Sequence, residues 1–368
     1  MTFTLPEGRI TPTGTPIPTT NPGGDDLISV LMTVYNRERF VGEAIESILD
    51  QTYRNLEFVI VDDGSTDHSG KIVKELADRD SRIKFISHPT NLGISTAVKS
   101  GLPHCTGKYI GRMDSDDISL PNRLEVQYQY LESHPSIDVL GTSLDFMDSG
   151  GRLTGQSVIY PTDPLVIRYL MFYRCILHNP TVLMKASYYH GFSGFEEAEQ
   201  AVPSDDYAFW VKGNFEYLYA NLQERLFYYR LHDQQISTTR FDDQRTNFIR
   251  FVQPAYERLL GRPVAEQVIR AFYFVQRITV SDPRVHMPAV RTVYQAQRAF
   301  EKLNQLNAFQ KRETRTYTYE KIKSYITKYK AHRAAFFLGG LYLLLLQPDR
   351  LLMDGWQQIR KFGSRTVL

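Results

Sequence analysis

Tyr109-Ile110-Gly111-Arg112-Met113-Asp114-Ser115-Asp116-Asp117 reads as a short strand that runs straight into three carboxylates. A strand tip is a good place for charge, because the sheet fixes the backbone while the side chains reach into a crevice. Acids this close repel one another unless something cationic sits among them. A hard divalent ion with oxygen ligands, Mg2+ or Mn2+, that also holds a phosphate is the economical answer. The alternative is a solvated acidic turn capping the helix that begins near Pro121.

Upstream, Ile28-Ser29-Val30-Leu31-Met32-Thr33-Val34 is almost wholly apolar, which predicts a parallel strand buried on both faces. Val41, Ala44, Ile45, Ile48 and Leu49 then recur at helical spacing. Leu56 to Val61 predicts a second strand ending in Asp62-Asp63-Gly64-Ser65, followed by a helix that turns Ile72, Val73, Leu76 and Ala77 inward. Ile83 to Ser87 is a third strand. Asn91-Leu92-Gly93 leads into a helix running to about His104, and Lys108 to Met113 is the fourth strand. This alternation predicts an α/β fold with a mostly parallel sheet flanked by helices. Ligands of such sheets sit beyond the carboxyl ends of the strands. Tyr35, Asp62-Asp63 and Asp114 to Asp117 all fall there.

Downstream, Pro121 to His134 predicts a helix with Leu124, Tyr128 and Leu131 on one face. Asp138 to Gly141 and Leu222 to Tyr229 predict strands, with a turn at Ser149-Gly150-Gly151. Between them, Tyr160, Tyr169, Phe172, Tyr173, His178 and Trp210 could shape a groove or fill a core. Asp205 and Asp206 enter a helix, where acids favour the N-terminus.

The bulk numbers narrow the function. A net charge of +2 argues against nucleic-acid binding, which needs a larger and more clustered basic excess. Two cysteines, Cys105 and Cys175, make neither a disulfide framework nor a zinc site and point to a reducing, cytoplasmic compartment. Residues 1–26, rich in Thr, Pro and Gly, read as a disordered leader. The apolar run Ala334 to Leu346 is shorter than the roughly 20 residues that span a bilayer. With the basic stretch Lys311 to Arg333 it predicts a packed helical hairpin, or else a peripheral contact with anionic membrane at its inner face. No glycine-rich dinucleotide or P-loop cradle is present, so a bound phosphate would have to be held by a metal.

Taken in order, these pieces resemble the family 2 glycosyltransferases with the GT-A fold. The matching segments are Ser29 to Asn36, Gln51-Thr52-Tyr53, Val61-Asp62-Asp63-Gly64-Ser65-Thr66-Asp67, Asn91-Leu92-Gly93, Arg112 to Asp117, Pro121-Asn122-Arg123-Leu124 and Asp205-Asp206-Tyr207 with Trp210. The resemblance covers roughly Leu27 to Ser237. It implies a Rossmann-like GT-A domain over 27–241, with a nucleotide-binding half (27–120) and an acceptor half (121–241), and a helical C-terminal extension over 242–368.

The resemblance further implies a metal-dependent, inverting transferase that moves a sugar from a nucleoside diphosphate sugar, a UDP-sugar first, to a hydroxyl of a saccharide, lipid-linked or other acceptor. Thr33, Tyr35 and Asp63 would line the nucleobase pocket, with Asp63 accepting from the imide. Asp114 would approach the ribose and donor sugar. Asp116 would hold Mn2+ or Mg2+, His232 would touch the metal or diphosphate, and Asp206 would be the general base. Asp117 would only cap the following turn. The chain departs from the family pattern at Thr33, Val98, Asp205 and Ala208. Two rival functions are a sugar-1-phosphate nucleotidyltransferase and a non-catalytic nucleotide-sugar-binding partner in a polysaccharide assembly complex.

Overall fold

β1 (Ile28–Val34), β2 (Leu56–Asp62), β3 (Ile83–Ser87) and β4 (Tyr109–Asp114) form a parallel sheet in the order β3-β2-β1-β4. The computed structural model describes residues 26–191, 205–233, 235, 241–273, 283–329 and 333–347; the leader expected over 1–26 lies outside them except for Asp26. Helices α1 (Val41–Leu49), α2 (Ser69–Ala77) and α3 (Ile94–Gly101) make the crossovers. The expected helix to His104 ends earlier, in a 3-10 turn over Leu102–His104, because Pro103 cannot donate the next helical bond.

Side chains alternate across β1 as the pleat requires. Ile28, Val30 and Met32 join one apolar cluster with Phe58 and α1, while Leu31, Val59 and Val61 join a second on the opposite face. Burial on both faces explains why the strand reads as an unbroken apolar run. Thr33 alone in β1 is partly exposed. It pairs in register with Val61 on one side and Asp114 on the other, so the strand ends of β1, β2 and β4 stand side by side.

Past β4 the sheet becomes mixed. β8 (Leu183–Lys185) joins β4 antiparallel, and β6 (Val139–Met147) follows it. β9 (Tyr219–Arg230) runs parallel to β6 and ends beside the two-residue β5 (Ile118–Ser119). β7 (Leu153–Val158) hairpins onto β6. The β6–β9 register slips between Thr142 and Asp145; such irregularities bend a strand. The bend lets Tyr228 and Phe227 pair with Ile118 and Ser119. That pairing delivers Arg230 and His232 to the acidic stretch before β5.

Helices α4 (Arg123–Ser133), α5 (Pro164–Leu170), α6 (Ala186–Gly191) and α7 (Asp205–Gly213) cover the sheet. The C-terminal helices are α8 (Phe241–Leu260), α9 (Glu266–Tyr273), α10 (His286–Asn304), α11 (Ala308–Lys328) and α12 (Arg333–Leu346). Their buried residues belong to the same cluster as α5 and α7. Tyr169, Phe172, Tyr173 and Trp210, considered as groove residues, are 2 % exposed or less. They fill that core. Among the described residues no helix is long and apolar enough to cross a membrane.

Candidate active site

The loop after β1 is stitched to the loop after β2. Asn36 adopts φ 51, a left-handed conformation that Asn tolerates, and its Oδ1 accepts from Thr66 N at 2.8 Å. Asn36 N donates to Ser65 Oγ, Arg37 N to Ser69 Oγ and Glu38 N to Asp67 Oδ2. Gly64 has φ +71, and a Cβ there would lie 2.3 Å from the Thr90 carbonyl carbon. Only glycine lets the β2 loop approach the 88–93 loop so closely. The Asp62-to-Asp67 signature is therefore largely a fastening for the rim.

Asp63 is buried in that fastening. Its Oδ1 accepts from His88 Nδ1 at 2.8 Å and Leu92 N at 3.0 Å, and its Oδ2 accepts from Gly93 N at 2.8 Å. Three bonds anchor the 88–93 loop and leave one lone-pair direction on Oδ2. Thr33 and Asp114, partners across β1 and β4, stand half-buried beside it. Tyr35 is 42 % exposed just beyond β1. Val98 is in the core, so this position brings no charge to the rim.

The three acids of the knot have different surroundings. Asp116 Oδ2 meets Arg37 Nε at 3.0 Å and His232 Nε2 at 3.0 Å. Burial works to raise the Asp116 pKa, but the His232 hydrogen bond and the Arg37 charge outweigh it and hold the carboxyl below its ordinary value. His232 is itself only 1 % exposed along its side chain, with Phe40 packed 5.0 Å from the imidazole.

Asp117 is not a simple turn cap. Its Oδ1 accepts from Arg230 N at 2.8 Å, across 113 residues of chain, and its buried Oδ2 has no partner. Burial, followed by the charges of Asp116 and Asp114, pushes its pKa well above the carboxylate range. Burial of Asp117 thus works against a third full negative charge in the crowd. The strand reading missed this division because it depends on β9, which arrives from far along the sequence.

Arg37 and Arg230 are the site residues that sequence reasoning passed over. Arg37 Nη1 is also held by the carbonyl of Asn36 at 3.0 Å. Arg230 is buried; its Nε donates to the Asp116 carbonyl at 2.7 Å, its Nη2 to Glu43 at 2.7 Å, and its guanidinium lies 4.9 Å from the Phe40 ring centre. Arg37 had a signal in Tyr35-Asn36-Arg37, at the end of the first strand. Arg230 had none, since its role rests on the long-range β5–β9 pairing.

Asp206, in the first turn of α7, is half-buried. Its charge reaches the Cys175 thiol, which burial, and then Asp206, raises well above the usual range. The segment from Cys175 runs through His178 into the Asn179–Thr181 turn, which packs against β4; Arg112 N donates to Val182 O at 3.0 Å. One connected segment thus links the Asp206 side to the β4 side. His178 lies edge-on to Tyr229 at 4.7 Å, with Nε2 buried and unpartnered.

Asp116 and His232 fit a divalent ion as a pair, since a carboxylate oxygen and an imidazole nitrogen converge on one point. Among the described residues no group of three or more such ligands occurs.

Residues 29–190 match the glycosyl transferase family 2 model. The chain is 35% identical over 222 residues to an uncharacterized glycosyltransferase of Haemophilus influenzae, covering 58% of this chain and 68% of that protein. It is 31% identical to the O-antigen biosynthesis glycosyltransferase WbnJ of Escherichia coli, covering 57% of this chain and 81% of WbnJ. Among solved structures, Staphylococcus aureus TarS residues 1–349, crystallised with UDP-GlcNAc, superposes with a TM-score of 0.52 at 17% identity, over 85% of this chain and 92% of that one. That likeness shows the GT-A fold.

Proposed function

The chain belongs to glycosyl transferase family 2 and is a glycosyltransferase; from that premise we propose that it moves a sugar from a UDP-sugar to an acceptor hydroxyl by a single inverting displacement. The observation that carries this reading is the meeting of Asp116, His232 and Arg37 at the carboxyl edge of the parallel strands. Ligands of such sheets bind at that edge, and a diphosphate needs cationic help there.

On this reading Tyr35 stacks on the base, and Thr33 and Asp114 border the ribose and sugar. Asp63 holds the 88–93 loop and offers its remaining Oδ2 lone pair to the uracil imide. Asp116 and His232 would hold Mn2+ or Mg2+, which when bound neutralises charge on the leaving diphosphate. Arg37, already at the Asp116 carboxylate, contributes a permanent positive charge at the same place. Arg230 ties the end of β9 to the acidic stretch, so that His232 and Asp116 are aligned before substrate arrives.

Asp206 takes the proton from the acceptor hydroxyl as it attacks the anomeric carbon. Positioned bases contribute about 10^2 to 10^4-fold. Placing the base opposite the leaving group predicts inversion. The reaction is tested by following nucleotide release and product anomer from UDP-sugars with Mn2+. Normal transfer by Asp206→Asn would remove the base from this account.

For the acceptor, the favoured setting is glycan assembly at a membrane surface. Phe337 (73 % exposed), Leu341 (52 %), Leu344 (45 %) and Leu345 (57 %) form an open apolar stripe on α12, beside the cationic helix α11. An apolar stripe beside cations suits the interface of an anionic bilayer. This arrangement would bring lipid-linked acceptors within reach.

A further inference from the structure

We propose that the cleft between α9 and α10, bounded by Arg262, Arg291 and Thr292, binds the phosphate group of a phosphate ester, carried by a lipid headgroup or by a soluble molecule. The cleft lies beyond the span that matches the family model, and nothing in that match assigns it.

Its volume is about 240 Å³, where the turn before α9 meets the first half of α10. At ~30 Å³ per water that is room for about eight waters, enough for a phosphate and the first atoms of the group it is esterified to. Val264 and Val268 form a buried apolar floor. The lining carries two guanidiniums and no carboxylate.

Arg262 is held at the cleft by Gln295, whose Oε1 accepts from Nη2 at 2.8 Å, and by the Pro263 carbonyl, which accepts from Nη1 at 3.2 Å. Arg291 is exposed and, among the described residues, has no hydrogen bond, ion pair or ring contact. Other arginines nearby are matched: Arg258 to Glu216, Arg270 to Glu266, and Arg298 and Arg315 to Glu301. Solvation alone would account for Arg291. It does not account for its neighbour.

Thr292 is 2 % exposed, and its hydroxyl has no hydrogen-bond partner among the described residues. A helical threonine can donate to the carbonyl one turn earlier. In α11, Thr314 does so to Gln310 O at 2.9 Å and Thr318 to Thr314 O at 2.8 Å. Thr292 lines the cleft instead. A buried hydroxyl left unpaired is costly, and a ligand oxygen in the cleft would accept its proton. On the facing wall, Ala265 immediately precedes α9, whose first amide N–H groups lack intrahelical partners and carry the positive end of the helix dipole. Donors on several sides of one space, with no acid among them, suit a tetrahedral oxyanion.

One turn beyond Arg291, Tyr294 stacks on Tyr342 of α12 with ring centroids 4.1 Å apart. Tyr342 adjoins Leu341 of the open apolar stripe. The lipid source rests on reading that stripe as membrane-facing; the soluble source does not.

The test uses the full chain as wild type, Thr292→Val and Arg291→Lys. Glycerol 1-phosphate is titrated by calorimetry, and sedimentation is followed with phosphatidylcholine vesicles with and without phosphatidylglycerol. Neither substitution changes net charge, so general attraction to an anionic surface is preserved. Each variant is expected to lose about tenfold in affinity, the effect of removing a hydrogen bond to a charged group. Thr292→Val is also expected to keep or raise Tm, so that its loss of binding is not a loss of fold. Loss with vesicles alone assigns the headgroup, and loss with glycerol 1-phosphate assigns a soluble ester even where wild type ignores vesicles and the membrane reading fails. Equal binding by all three proteins, or no binding of either probe to wild type, would overturn the proposal. Nucleotide release from UDP-sugar reports separately on the donor site.

Discussion

The carboxyl edge of β1, β2 and β4 and the aromatic cluster around Lys321 are built in opposite ways. At the strand edge, charge is matched internally. Asp116 has Arg37 and His232, Asp63 has His88 and two backbone amides, and Arg230 has Glu43 and the Asp116 carbonyl. Around Lys321 the ammonium faces the rings of Tyr173, Tyr273 and Tyr317 instead. The first region is organised before any ligand arrives. Preorganisation of this kind serves the step in which charge develops.

The sharpest test of this reading is at Asp206. Asp206→Asn should lower the transfer rate by about 10^2 to 10^4-fold, with UDP-sugar affinity retained, as read by product formation against calorimetry. Equal losses in both would place Asp206 in the donor site instead.

Arg230→Met tests whether the strand edge is held from β9. It leaves the Asp116 carbonyl without its guanidinium, and losing a hydrogen bond to a charged group typically costs about 1.5–3 kcal/mol. Urea unfolding should show that loss, accompanied by weaker Mn2+ binding. A stable variant with normal metal affinity would mean that the Asp117 bond to the Arg230 backbone suffices.

His178 gives a pH test of the segment joining the two regions. Burial lowers its pKa to about 4, against about 6.5 in the unfolded chain. Between these values the unfolded state binds more protons, so stability falls as pH drops from about 6.5 to about 4. At ~1.4 kcal/mol per unit the loss is on the order of 2–3 kcal/mol. His178→Phe should flatten that part of the pH–stability curve, measured by urea midpoint.

The smallest expected effect concerns α12. Phe337→Ser with Leu341→Ser should weaken sedimentation with anionic vesicles by about tenfold or more, since each large apolar side chain contributes roughly 1.5 kcal/mol or more when buried. Unchanged sedimentation would favour a packed hairpin whose outer face meets only water.

The parallel half of the fold was plain in the sequence because its strands are buried on both faces. Ile28 to Val34 and Leu56 to Asp62 had little choice of environment, and the acids at their ends marked the rim. The mixed half was harder to read. β6 and β9 extend past the segments expected from local pattern, and the slip between them is set by packing rather than by alternation. Aromatic residues were equally ambiguous: Tyr169, Phe172, Tyr173 and Trp210 could have lined a groove and turn out to fill the core.

The sequence by itself determined that charged side chains would gather at one strand edge, since alternating apolar strands and helices admit few arrangements. Only the tertiary structure decided which acid does what. A carboxylate's ionisation depends on burial and on the nearest opposite charge. For Asp116 and Asp117 that charge arrives from Arg37, His232 and the end of β9, and the last two lie more than a hundred residues further along the chain. The same reason hid the placement of Lys321 over the Tyr173 ring, which depends on packing a C-terminal helix against α5.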